Sequence, residues 1–197
     1  MTPVIGTVGA VLFVVTFLLD GATRPGYRPT HQTVSALALG PRGWVQTTNF
    51  VVSGAAITAS AVGIHAAAGG PWLAGAVAVF GIALVASGVF AMDPMRSYPP
   101  GTPPGDPTTT SRAHERHDTA GAVVFGSLPV CAVVAAVTVD GTVWTIASVV
   151  VAVHLAVTAS RFATAWEADD PRTGVVQRAY LVPGLLWLGA LCWHLAA

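Results

Sequence analysis

The chain has 197 residues, of which 53% are hydrophobic and only 9% charged, against about 25% charged in an ordinary water-soluble domain. So few charges cannot cover a water-facing surface, and a mean hydropathy of +0.66 points the same way. Nine basic and nine acidic residues cancel to a formal net charge of zero, which leaves no basic surface of the kind that nucleic acid requires.

A hydrocarbon core about 30 Å thick takes about 20 apolar residues in helical form, because every spanning backbone group must be bonded within the chain. Six runs meet this requirement. Pro3 to Leu19 is the first; it lacks a basic leader and an Ala-x-Ala cleavage signal and reads as a retained span. A polar connection opens at Asp20, where Pro25-Gly26 makes a turn. Within it Thr30 is placed to cap a short helix from His31, with Val34 and Leu37 on one face. Gln46 to Ala68 and Trp72 to Met92 form a hairpin across Gly69-Gly70-Pro71. The stretch from Asp93 to about His117 is too rich in Pro and Gly for a helix and reads as an irregular loop. Thr119 to Val139 and Thr142 to Ala163 flank the turn Asp140-Gly141, and Gln177 to Leu195 is the last span. Pro129 and Pro183 lie inside spans four and six, where bundles tolerate them. The expected fold is therefore all-α, one domain of six transmembrane helices with a short helical cap between the first two.

The polar residues are divided by side. All nine basic residues are arginines, and they lie in or beside the connections after spans one, three and five; the opposite side carries one charge, Asp140. By the positive-inside rule the arginine face is expected to be cytoplasmic, with both termini outside. An acidic group follows each odd-numbered span: Asp20, Asp93, and the run Glu167, Asp169, Asp170.

An unpaired polar group in hydrocarbon is costly and tends to face the bundle interior. Gln46, Asn49 and Ser53 share one helical face, and His154, Thr158 and Arg161 recur at i, i+4, i+7. Interhelical hydrogen bonding worth about 1 kcal/mol per contact explains such stripes equally well. The functional reading is that both stripes converge with the first connection on a cavity open to the arginine face. In that reading Asp20, His31, Asp93 and His117 are the candidate acid and base groups. Arg24, Tyr27, Arg28, Ser35, Gln46, Asn49, His154, Arg161 and Arg178 are the candidate binding groups. His114 and His117 are three residues apart, but the run lacks the His-Glu-x-x-His order and no Cys-x-x-Cys exists, so no metal site and no other cofactor is expected. His65 and His194 read as core histidines, and Cys131 and Cys192 as buried thiols. Neither a phosphate loop nor a Gly-x-Ser-x-Gly elbow occurs.

Arg24-Pro25-Gly26-Tyr27 with His31, Ser35 and Leu37, then Gly43-Trp44 leading into Asn49-Phe50 and Gly54, resembles the opening of the membrane family catalogued as domain of unknown function 998. Phe90-Ala91-Met92-Asp93-Pro94, His117 and Gln177-Arg178 fit the same pattern, so the resemblance spans almost the whole chain. It implies six helices and a membrane location, and carries no activity. Ala36 departs from the pattern, which has an acidic residue there, and the loop after Asp93 is unusually long.

Three classes of function remain open. The first is an enzyme using acid–base chemistry on a prenyl or other lipid-like substrate, with Arg24, Arg28 and Arg178 on its polar end and Asp20 or Asp93 moving a proton. Proton-initiated terpene cyclisation is one such chemistry, with Tyr27, Trp44, Phe50, Trp166 and Tyr180 available to shield a cation. The second is a scaffold or sensor whose Pro-rich connection docks a partner. The third, a small-molecule transporter, is disfavoured because polar residues thin out toward the Asp140 side. The bilayer is the one partner that composition requires, and oligomeric state is not encoded in any of these patterns.

Overall fold

The computed structural model describes residues 2–197 and contains α1 (Val4–Thr23), a 3-10 helix (Val34–Ala38), α2 (Gly43–Ala67), α3 (Pro71–Val89), α4 (Arg112–Thr138), α5 (Thr142–Glu167) and α6 (Thr173–His194). All six α-helices are long and apolar enough to cross a bilayer. Even the shortest, α3 with 19 residues, reaches about 28 Å at 1.5 Å per residue. Each packs on its neighbours in sequence, and α6 closes against α1 to complete a ring.

Several helix ends differ from the hydropathy spans because local hydrogen bonds extend or stop them. α1 continues past Leu19 to Thr23, since the carboxylate of Asp20 is met by Arg24 and Arg42. α4 begins seven residues before Thr119, where the Ser111 hydroxyl accepts from the His114 N–H at 3.1 Å and Glu115 sits in the first turn, a favourable place for an anion. α6 begins at Thr173, whose hydroxyl donates to the carbonyls of Ala165 and Asp170. α3 stops at Val89, short of Met92, as Phe90 turns to extended backbone. The cap also differs from expectation. Residues 28–32 form a turn rather than a helix from His31, and the 3-10 helix starts after Thr33.

Small residues set the distances between helices, as is usual where lipid removes the hydrophobic drive for helix association. A Cβ built on Gly54 lies 2.7 Å from the Gly81 carbonyl oxygen, and one on Gly81 lies 2.8 Å from the Gly54 carbonyl oxygen, so α2 and α3 meet backbone to backbone. Across the ring, the Tyr180 hydroxyl donates to Phe125 O at 2.8 Å and the Thr7 hydroxyl to Gly189 O at 2.8 Å. α5 is the outlying member: it buries three residues, whereas α6 buries twelve. Cys131 and Cys192 are both buried and free.

Candidate functional site

The first connection is a rigid cap, and its charged groups hold it in place. Asp20 is 4% exposed and Arg24 7%. Arg24 pairs with Asp20 and also donates to the carbonyls of Leu37 (3.1 Å), Leu39 (3.1 Å) and Arg42 (2.9 Å). Arg178 does the same from α6, donating to Pro29 O at 2.7 Å, Gln32 O at 3.2 Å and the Tyr27 hydroxyl at 2.5 Å. Tyr27 donates onward to Thr33 O at 2.8 Å, and burial pushes its phenol up to about 12. Gln177 accepts from the Val34 N–H at 2.7 Å. His31 bridges Arg28 (3.4 Å) and Asp169 (3.0 Å) at the rim.

The long third connection is ordered as well. Tyr98 is buried edge-on against Tyr27 at 5.3 Å. Arg96 binds Asp106 through two nitrogens (2.7 and 3.0 Å), lies 3.5 Å from Asp169, and stacks 3.8 Å over the Trp166 ring. Asp93 accepts from the Ser111 N–H at 2.6 Å and the Ser111 hydroxyl at 2.8 Å, closing the base of the loop. The Ser111 N–H, more than any other neighbour, holds the Asp93 carboxyl below the usual carboxylate range. A carboxyl whose folded pKa is depressed stabilises the fold fully above its unfolded value, about 4, and loses that contribution as pH falls through the folded value. Asp93→Ala is therefore expected to raise hydrogen exchange across residues 94–110 by about fivefold at pH 7. Taking the wild type well below pH 4, through the depressed folded value, reproduces the change once intrinsic rates are corrected; equal exchange in both proteins at pH 7 would dismiss the closure.

Beneath these loops, α4 and α5 part to leave a recess of about 320 Å³. Its apolar walls are Met92, Phe125, Ala159, Phe162 and Trp166, with Phe125 and Phe162 stacked at 4.8 Å. Gly121 contributes no side chain, and a Cβ there would meet nothing within 4 Å. Ser35, Gly121, Phe125 and Gln177 also line a smaller void of about 30 Å³ that reaches inward to Phe13 and Leu84.

His117 stands at the polar end of the recess. Its Nδ1 lies 2.8 Å from Phe90 O and 3.0 Å from Ser87 O. Two carbonyl oxygens require a donor, so the ring proton is on Nδ1 and the neutral ring presents Nε2 as an acceptor. Thr33, Ser35, Gln177 and Asp118 are the other polar residues that line it, and the Asp118 carboxylate is turned to His114 Nε2 at 3.2 Å.

Of the thirteen candidate residues, the recess takes Ser35 and His117. Asp20, Arg24, Tyr27 and Arg178 tie down the cap, while Arg28 and His31 sit at its rim. Asp93 staples the third connection. The two helical stripes do not converge on the recess. Gln46, Asn49 and Ser53 form a hydrogen-bonded ladder that reaches Phe13 O at 3.1 Å across the α1–α2 contact. His154 bonds Ala179 O at 2.8 Å, and Arg161 is exposed. His114 faces Asp118 at 3.2 Å and the Asp93 N–H at 3.0 Å, so it shares no partner atom with His117. Among the described residues no group of three metal-ligating side chains occurs. Asp118 and Gln177 were absent from the candidates; Gln177, next to Arg178 at the head of the last span, carried a polar signal there.

A protein-family model described as "Protein of unknown function (DUF998)" matches residues 7–194. No curated protein and no solved structure matches the chain.

Proposed function

Because the chain belongs to this membrane family of unknown function, we propose a role from its site: the protein binds a lipid-like molecule in the α4–α5 recess, and His117 moves a proton at its polar end. The observation that carries this reading is an aromatic, largely apolar recess with a tautomer-fixed histidine at one end. A hydrocarbon chain would lie along the wall of Phe125, Phe162 and Ala159, with its polar end toward His117. An imidazole suits proton transfer at an alcohol or carbonyl. Protonating an isolated alkene demands a stronger acid. Neither Asp20 nor Asp93 lines the recess, so terpene-cyclase-like protonation has less support than binding.

Gly121→Leu tests the reading. The new side chain grows into open space, and replacing a helical glycine favours folding by about 1 kcal/mol. The variant is expected to fold and melt like wild type or better. Lipid co-purifying in detergent, quantified by mass spectrometry, should fall by about tenfold or more once the cavity is filled. Full retention of the same lipid would remove the recess as its site.

We propose further that the arginine-bearing face is cytoplasmic, since the opposite turns carry no basic residue and arginine is retained inside. An alkaline phosphatase fused to the C-terminus is expected to be active in cells, and a fluorescent protein fused there dark; the reverse pattern inverts the assignment.

A further inference from the structure

A hydrocarbon tail gains little on moving from lipid into an apolar protein groove, because both surroundings are equally apolar. Preference among lipids at this recess must then come from the polar end. That end has an unusual inventory for a lipid headgroup site: polar side chains and no arginine.

The arginines that stand nearest in the fold are already committed. Arg24 and Arg178 donate to the backbone of the cap. Arg96 lies behind Trp166, paired with Asp106 and Asp169. Arg116 lines the groove on the other side of α4, against Phe90. Arg161 is exposed on α5 and is not part of the wall. Asp118 lines the recess and brings no positive charge to a phosphate.

What remains is a neutral hydrogen-bonding set. His117 Nε2 accepts, and among the described residues it has no partner, since Nδ1 takes both carbonyls. Gln177 spends its carbonyl oxygen on Val34, leaving its N–H groups to donate. The Ser35 hydroxyl likewise has no partner among the described residues and lines both the recess and the inner void. An acceptor on His117 together with the donors of Ser35, Gln177 and Thr33 in one wall complements a hydroxyl, which gives one proton and accepts on its oxygen.

Resting on the reading of the recess as a lipid site, we infer that it selects a long-chain alcohol, isoprenoid or fatty, over the phosphorylated form of the same chain. The full chain in nanodiscs, titrated with farnesol and with farnesyl diphosphate, tests this through quenching of tryptophan fluorescence. Farnesol is expected to bind at least about tenfold more tightly, because the diphosphate would be desolvated where no arginine lines the wall. Ser35→Ala should weaken farnesol by about fivefold while leaving the fold intact. Arg161→Gln, outside the wall, should alter neither ligand. Tighter binding of the diphosphate by wild type, with both ligands lost in Gly121→Leu, overturns the headgroup inference and leaves the recess standing. Absence of binding by either probe, or binding that survives Gly121→Leu, overturns both.

Discussion

Arg24→Met is expected to lower the melting temperature by roughly 10 °C, from a loss of about 3–5 kcal/mol. The exchange keeps an unbranched apolar stem and removes the guanidinium. It strips the buried Asp20 carboxylate of its closest cation and leaves Arg42, at 2.6 Å and half open to solvent, as the remaining one. It also takes the guanidinium away from three carbonyls, those of Leu37, Leu39 and Arg42, which close the cap over α1. Leaving a buried charge unpaired costs more than the pair contributes, so a double variant, Asp20→Leu with Arg24→Met, is expected to recover part of the loss. Cys131 and Cys192 are buried and free, which makes a thiol-reactive dye in detergent a direct reporter of unfolding. A single variant that melts within 2 °C of wild type would show that the cap is held by other means.

Gly54→Val should be equally damaging for a different reason. Its Cβ would lie 2.7 Å from the Gly81 carbonyl oxygen and 2.8 Å from the Val85 nitrogen, both backbone atoms of a helix that cannot rotate them away. Overpacking against side chains costs about 1–3 kcal/mol; here α2 and α3 must separate, and a loss at or above the top of that range is expected. Gly75→Val is the control. It lies on α3, where an added Cβ meets nothing within 4 Å, and it should shift stability by no more than about 0.5 kcal/mol. Dye-monitored melting of the two variants side by side separates close approach from the general cost of valine in a helix. Equal behaviour would mean that the α2–α3 crossing is looser than drawn.

The bundle was legible because hydrocarbon tolerates so few alternatives. Runs such as Pro3 to Leu19 and Trp72 to Met92 admit no reading but a spanning helix, and the arginines announce one common face. Helix ends were less legible, since they depend on partners that hydropathy ignores, such as the Ser111 cap on α4 and the Thr173 contacts that start α6. The site was read only in part, for a physical reason. Arg24, Arg178 and Asp93 look like ligand-binding charges in a sequence, but their partners are backbone groups, which no side-chain spacing encodes. The recess itself is an absence of atoms, lined by Gly121 of α4 and Ala159 of α5, which bring little or no side chain to it. His117 was picked out; the pair of carbonyls that fixes its tautomer belongs to the end of α3 and follows from the fold alone.

The shallow seating of α5 bears on how any occupant arrives. With only Ser148, Leu155 and Thr158 buried, this helix has the least to lose by swinging aside, and it forms one wall of the recess. A guest passing between α4 and α5 would come laterally out of the leaflet and never cross water. Its occupancy would then follow its mole fraction in the bilayer, and diluting the sample with buffer at constant lipid composition would leave the protein just as loaded.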